Sequence, residues 1–133
     1  MLTVLIANDS APILERLATL VSEVDGIELV GQASNAPDAI ETIRWLKPDV
    51  VILGISMPGG GGFQVLEAIQ GAGVGPVVIV LSADPYPQYG KRCLEAGAGY
   101  FLDKATGFEQ IPEILKEVRR ALAERGAAHP CEG

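Results

Sequence analysis

Apolar residues along this chain follow two alternating rhythms. Short runs at Leu2–Ala7, Glu28–Ala33, Val50–Leu53, Val77–Leu81 and Tyr100–Leu102 have the length and branched character of strands. Val50–Leu53 is apolar at every position, which predicts a strand covered on both faces. The stretches between have helical spacing. Ile13, Leu14, Leu17, Leu20, Val21 and Val24 mark the first, with Ser10 placed to cap it and Pro12 in its first turn. Ile40, Ile43 and Leu46 mark the second, which Pro48 ends. Phe63, Leu66 and Ile69 mark a short third, closed by Gly71 and Gly73. A fourth covers Gln88 to Ala96, crowded at its start by Pro85 and Pro87.

The fifth helical stretch carries Ile111, Ile114, Leu115, Val118 and Leu122. Thr106 and Glu109 have the spacing of a capping box, yet a helix begun there would hold Pro112 in its interior and lose a backbone bond. Either the helix starts later than the box implies, or it opens with a distorted turn. Residues 1–125 therefore read as one domain, and residues 126–133 as a disordered tail. Five strand–helix units joined by short connections predict an α/β domain. A doubly wound, flavodoxin-like parallel sheet of order 2-1-3-4-5, with helices on both faces, fits right-handed crossovers. In such a sheet ligands sit beyond the carboxyl ends of the strands.

Composition narrows the partners. The 133 residues hold ten basic and seventeen acidic side chains, a formal net charge of −7. That field repels a phosphate backbone and no basic stripe offsets it, so direct nucleic-acid binding is not expected. No apolar run approaches the roughly 20 residues of a membrane span, and Leu2–Ile6 reads as a first strand rather than a leader, so the expected location is cytoplasmic. Cys93 and Cys131 lack metal spacing and read as reduced thiols. Gly59–Gly62 is followed by Phe63 and Gln64 where a nucleotide-cradling loop needs lysine and a hydroxyl, so it reads as a turn.

The predicted strand ends gather chemistry. Strand one ends in Asn8-Asp9, strand three in Gly54, strand four in Leu81-Ser82, and strand five leads to Lys104. A carboxylate, an amide, a hydroxyl and an ammonium around one cleft suit an anion held beside a hard cation.

In the order VLIANDS (4–10), DVVILGISMPGGGGFQVL (49–66), VIVLSA (78–83) and GAGYFLDK (97–104), these segments make the chain resemble a response-regulator receiver domain of two-component signalling, the CheY-like fold. The likeness runs from about Leu2 to Leu122. It implies a sensor histidine kinase or phosphotransfer protein upstream, a downstream effector protein, and a magnesium ion at the site. It also implies a non-enzymatic role, as a monomer or weak homodimer. By that resemblance Asp9 matches the principal metal-binding acid, and Asn8 stands where a second acid is usual. Ser56 would offer its backbone carbonyl to the metal. Ser82 matches the hydroxyl that bonds the phosphoryl group, Lys104 the lysine that pairs with it, and Phe101 the switch aromatic. Ala105 replaces a frequent proline.

Gly54 stands at the phosphoacceptor position, where acyl-phosphate formation needs a carboxylate. Asp49 lies at the other end of the strand, and Ser56 has no evident base beside it. The expected consequences are weak or absent magnesium binding and a stand-alone module that signals by surface contact, or a phosphorylation-dead variant of a working receiver. The alternative is a small flavodoxin-like cofactor-binding protein or enzyme, although Asn8-Asp9-Ser10 places an acid where a flavin phosphate would sit.

Overall fold

The computed structural model describes residues 2–54, 61–70, 76–82, 95, 98–103 and 107–128. Strands β1 (Leu2–Ala7), β2 (Ile27–Ala33), β3 (Val50–Gly54), β4 (Val77–Ser82) and β5 (Tyr100–Asp103) form one parallel sheet in the order β2-β1-β3-β4-β5. The fold class and strand order are those expected from the sequence. The central strands read as unbroken apolar runs because both their faces are covered. Val4 and Ile6 of β1, Val50 and Ile52 of β3, and Ile79 and Leu81 of β4 enter one core layer. Their neighbours Leu5, Ala7, Val51, Leu53, Val78 and Val80 enter the other. That alternation is the two-residue period of a strand.

Helix α1 (Ala11–Ser22) supplies Leu17 and Val21 to the first layer, together with Ile111, Leu115 and Val118 of the C-terminal helix (Ile111–Ala128). Helices α2 (Ala36–Leu46) and α3 (Gly61–Gln70) cover the other face with Ala39, Ile43, Val65, Leu66 and Ile69. Truncating a fully buried Ile52 or Leu5 to alanine removes about 2–5 kcal/mol of stability.

The helix ends follow local chemistry. Asn35 caps α2 by accepting a hydrogen bond from the Asp38 backbone N–H at 2.9 Å. Lys47 ends α2 in the left-handed conformation at φ 49°, just before Pro48. Ser10 occupies the N-cap position of α1, as the sequence leads one to expect, although its side chain makes no capping bond. Asn8 instead fixes the turn into the helix, its Oδ1 accepting from the Ser10 N–H at 3.0 Å.

The conflict around Pro112 is settled by a change of helix type. Gly107–Gln110 forms a 3-10 turn, and the α-helix begins only at Ile111. Pro112 thereby falls in the first turn, where its missing N–H costs no intrahelical bond. Phe108 of that turn is buried and lies under the Arg16 guanidinium, 4.1 Å from ring centroid to Cζ. Arg119 donates to the Asp25 carbonyl, tying the C-terminal helix to the loop before β2. The helix continues to Ala128, beyond the boundary expected at residue 125. The helix expected over Gln88–Ala96 lies outside the described residues apart from Glu95.

Candidate functional site

The site is built where β1, β3 and β4 end. Parallel pairing sets Ala7 beside Leu53 and Gly54 beside Leu81, so the next residues, Asn8 and Ser82, flank Gly54 on its two neighbouring strands. Asn8 is 4% exposed and Ser82 2% exposed, the two polar side chains drawn into the interior among the described residues. Asp9 follows at the surface. Phe101, paired in register with Val80, is half-buried and packs against the layer of Val78, Val80 and Leu53. Lys104, Ser56 and Ala105 lie outside the described residues. The structure thus brings Asn8, Gly54 and Ser82 together, with Asp9 at the rim of the same sheet edge.

Asn8 is held at two points. Its backbone N–H donates to the Ala33 carbonyl at 3.0 Å, and its Oδ1 accepts from Ser10. Its amide nitrogen faces Gly54 so closely that a β-carbon on residue 54 would stand 2.6 Å from Nδ2 and 3.2 Å from Cγ. Gly54 has none of the positive φ that would reserve the position for glycine, since among the described glycines Gly26 carries that feature. Steric room, not backbone conformation, therefore decides what fits at position 54. The carboxamide of Asn8 already fills the space that a side chain there would enter.

This donor set is poor for a divalent cation. Magnesium sheds its waters reluctantly and is held by anionic oxygens. Asn8 offers a neutral carbonyl that already accepts a hydrogen bond, and Gly54 offers nothing. Among the described residues, no three His, Cys, Asp or Glu side chains stand close enough together to hold a metal ion. Among the described residues of the site, the exposed Asp9 is the one anionic side chain.

Asp49, the other carboxylate of this strand region, is excluded by position. It stands at the amino end of β3, where Oδ2 accepts from the Thr3 N–H at 2.9 Å and from Thr3 Oγ1 at 3.1 Å. Sequence reasoning weighed Asp49 only as a substitute acceptor and missed this clasp. It also missed the packing of Asn8 onto Gly54. The signal for the second was present, an amide and a glycine at the ends of two strands, but it becomes legible only once register sets them side by side.

Comparison with known proteins agrees with this architecture. Residues 4–116 match the family model for the response regulator receiver domain. The chain is 29% identical over 121 residues to the response regulator GacA of Pseudomonas aeruginosa, covering 89% of this chain and 55% of that one. It is 34% identical over 134 residues to protein-glutamate methylesterase/protein-glutamine glutaminase 5 of Myxococcus xanthus, covering 96% of this chain and 38% of that one. The chain spans about half the length of GacA and less of the methylesterase. Among solved structures, the response regulator domain of Thermotoga maritima CheB superposes with a TM-score of 0.80 at 28% identity, covering 92% of this chain and 97% of that one.

Proposed function

Because this chain belongs to the response regulator receiver domain family of two-component signalling, we propose that it is a phosphorylation-silent receiver, one that passes its message by protein contact. The observation that carries this reading is the contact between Asn8 and Gly54. A phosphoacceptor needs a carboxylate projecting from the end of β3. Here the position lacks a side chain, and the neighbouring amide occupies the approach. On this reading Asp9 and the backbone of Ser56 hold magnesium weakly, and Ser82 and Lys104 are the groups that would face a phosphoryl oxygen. Phe101 is the aromatic that would answer their movement. The module is not an enzyme. A histidine kinase or phosphotransfer protein and a downstream effector remain its natural class of partners, met through shape rather than phosphoryl transfer. Family membership supports this over the flavodoxin-like cofactor-binding alternative.

The buried hydroxyl of Ser82 and the half-buried Phe101 support a pocket one substitution away from chemistry. Intact-mass measurement after acetyl phosphate treatment with magnesium tests this. The chain as it stands should gain no phosphoryl mass, whereas Gly54→Asp, alone or with Asn8→Asp, should gain one. Labelling of the glycine form would overturn the reading by showing that another residue accepts the group. Failure of both aspartate forms to label, while remaining folded by circular dichroism, would show that the pocket is not a receiver site.

A further inference from the structure

Trp45 is the chain's single tryptophan, and it stands 84% exposed on the outer face of α2, with Leu46 beside it 41% exposed. Tryptophan carries a large apolar surface whose burial is favourable, and Trp45 and Leu46 are the large apolar side chains left exposed among the described residues. An open groove crosses this face, lined by Ile40, Glu41, Thr42, Arg44 and Trp45. None of these groove residues belongs to the site around Asn8 and Gly54.

The charges on this face are sorted. Its first half carries the exposed acids Asp38 and Glu41, and its end carries the exposed bases Arg44 and Lys47. Among the described residues Glu41 and Arg44 form no ion pair, although they sit one turn apart. From this pattern we infer that α2 docks antiparallel against α2 of a second copy of this chain. A two-fold axis between Glu41 and Arg44 sets Glu41 level with the partner's Arg44, and the reverse pair follows by symmetry. The acidic half of each helix then faces the basic half of the other, and the helix dipoles oppose favourably. Trp45 comes level with the groove of the other copy. A parallel arrangement would set acid on acid and base on base.

The net charge of −7 makes two copies repel at most faces, which is why local neutrality matters here. The face spans one helix of 11 residues. A standard interface takes roughly 800 Å² and about 20–30 residues per partner, so a dimer held by this one helix is weak and appears only on concentration.

Sedimentation velocity of the full chain over a concentration series, read alongside Trp45 emission, tests the inference. Concentration should shift mass toward dimer and move the emission to the blue. Glu41→Arg and Arg44→Glu, each on an exposed position, should each weaken self-association about tenfold or more. Mixing the two single variants should restore pairing, because the mixed pair regains both cross-helix contacts, and the double variant should recover it within one chain. A chain monomeric at every concentration would overturn the inference. So would a dimer indifferent to both reversals, or reversed variants that fail to pair with each other.

Discussion

β3 meets β1 at both of its ends, and the two meetings are built oppositely. At the amino end Asp49 and Thr3 form a reciprocal clasp. Asp49 Oδ2 accepts from the Thr3 N–H and hydroxyl, while the Asp49 N–H donates to Thr3 Oγ1 at 3.0 Å and to the Thr3 carbonyl at 3.0 Å. At the carboxyl end the same two strands present Asn8 and Gly54, a neutral amide packed onto a residue with no side chain. Asp49 has its acceptor capacity directed into structure, at the edge away from the site. At the edge where this fold places its chemistry, β3 ends in a residue with no side chain, and the nearby carboxylate is the exposed Asp9 that follows β1. A carboxylate whose oxygen is engaged by hydrogen bonds from its own fold is a fastener, and a nucleophile must keep an open face.

The strongest way to break this contrast is to give the carboxyl end of β3 its own carboxylate. Gly54→Asp should convert phosphoryl uptake from none to one group per chain, the all-or-none change measured by intact mass. Adding Asp49→Ala to that variant should leave uptake in place, since the clasp stands at the far edge. Loss of labelling on removing Asp49 would mean that the two ends are coupled through β3.

Next in size is Asp49→Ala on its own. It leaves the Thr3 N–H and hydroxyl without their acceptor in a part-buried position, a cost of about 1–3 kcal/mol. Urea denaturation should show the midpoint falling with the slope unchanged. Asp49→Asn keeps an acceptor and should lose less. An Asp49→Ala chain as stable as the parent would make the clasp incidental.

A smaller effect sharpens the other end. Gly54→Ala drives a methyl group into the Asn8 amide, which can swing aside only by giving up its bond to Ser10. The expected cost is about 1 kcal/mol. In Asn8→Ala the same change should cost less, because the obstructing amide is gone. A double-mutant cycle by denaturation measures that coupling. Strict additivity would mean that the amide does not fill the acceptor space.

Much of this architecture was legible in the order of residues. The apolar runs of β1, β3 and β4 announce a two-sided sheet because covered strands need no polar alternation. The half-exposed edge strand β2 was harder: Ile27, Leu29 and Val30 are only partly buried, and the strand begins one residue before its predicted start. Pro112 signalled a conflict whose answer, a 3-10 turn ahead of the helix, depends on burying Phe108 beneath Arg16. At the candidate site, residue types at the strand ends were readable, including the missing carboxylate. The packing of Asn8 onto Gly54 was not, because it depends on the register between two strands more than forty positions apart in sequence. Asp49 was rightly set aside as an acceptor, but its structural role was hidden for the same reason. Its distance from Gly54 is plain in the sequence, but Thr3 as its partner is not.

The smallest effect concerns pH, and it too belongs to the amino edge of the sheet. Tyr100 opens β5, in register with Ile79, and its phenol is pushed above the ordinary value of 10.0, first by burial and then by the nearby charge of Glu117. The folded chain therefore keeps the phenol protonated where the unfolded chain begins to release the proton. By linkage the contribution is intact below the unfolded value and is lost as pH climbs through it, because the unfolded state then binds fewer protons than the native one. Stability measured by denaturation should thus decline as pH rises past about 10. Tyr100→Phe should flatten that decline while leaving stability near neutrality almost unchanged. Glu117→Gln should flatten it less, since it removes only the second cause. An alkaline slope identical in parent and Tyr100→Phe chains would place the responsible group elsewhere in the sheet.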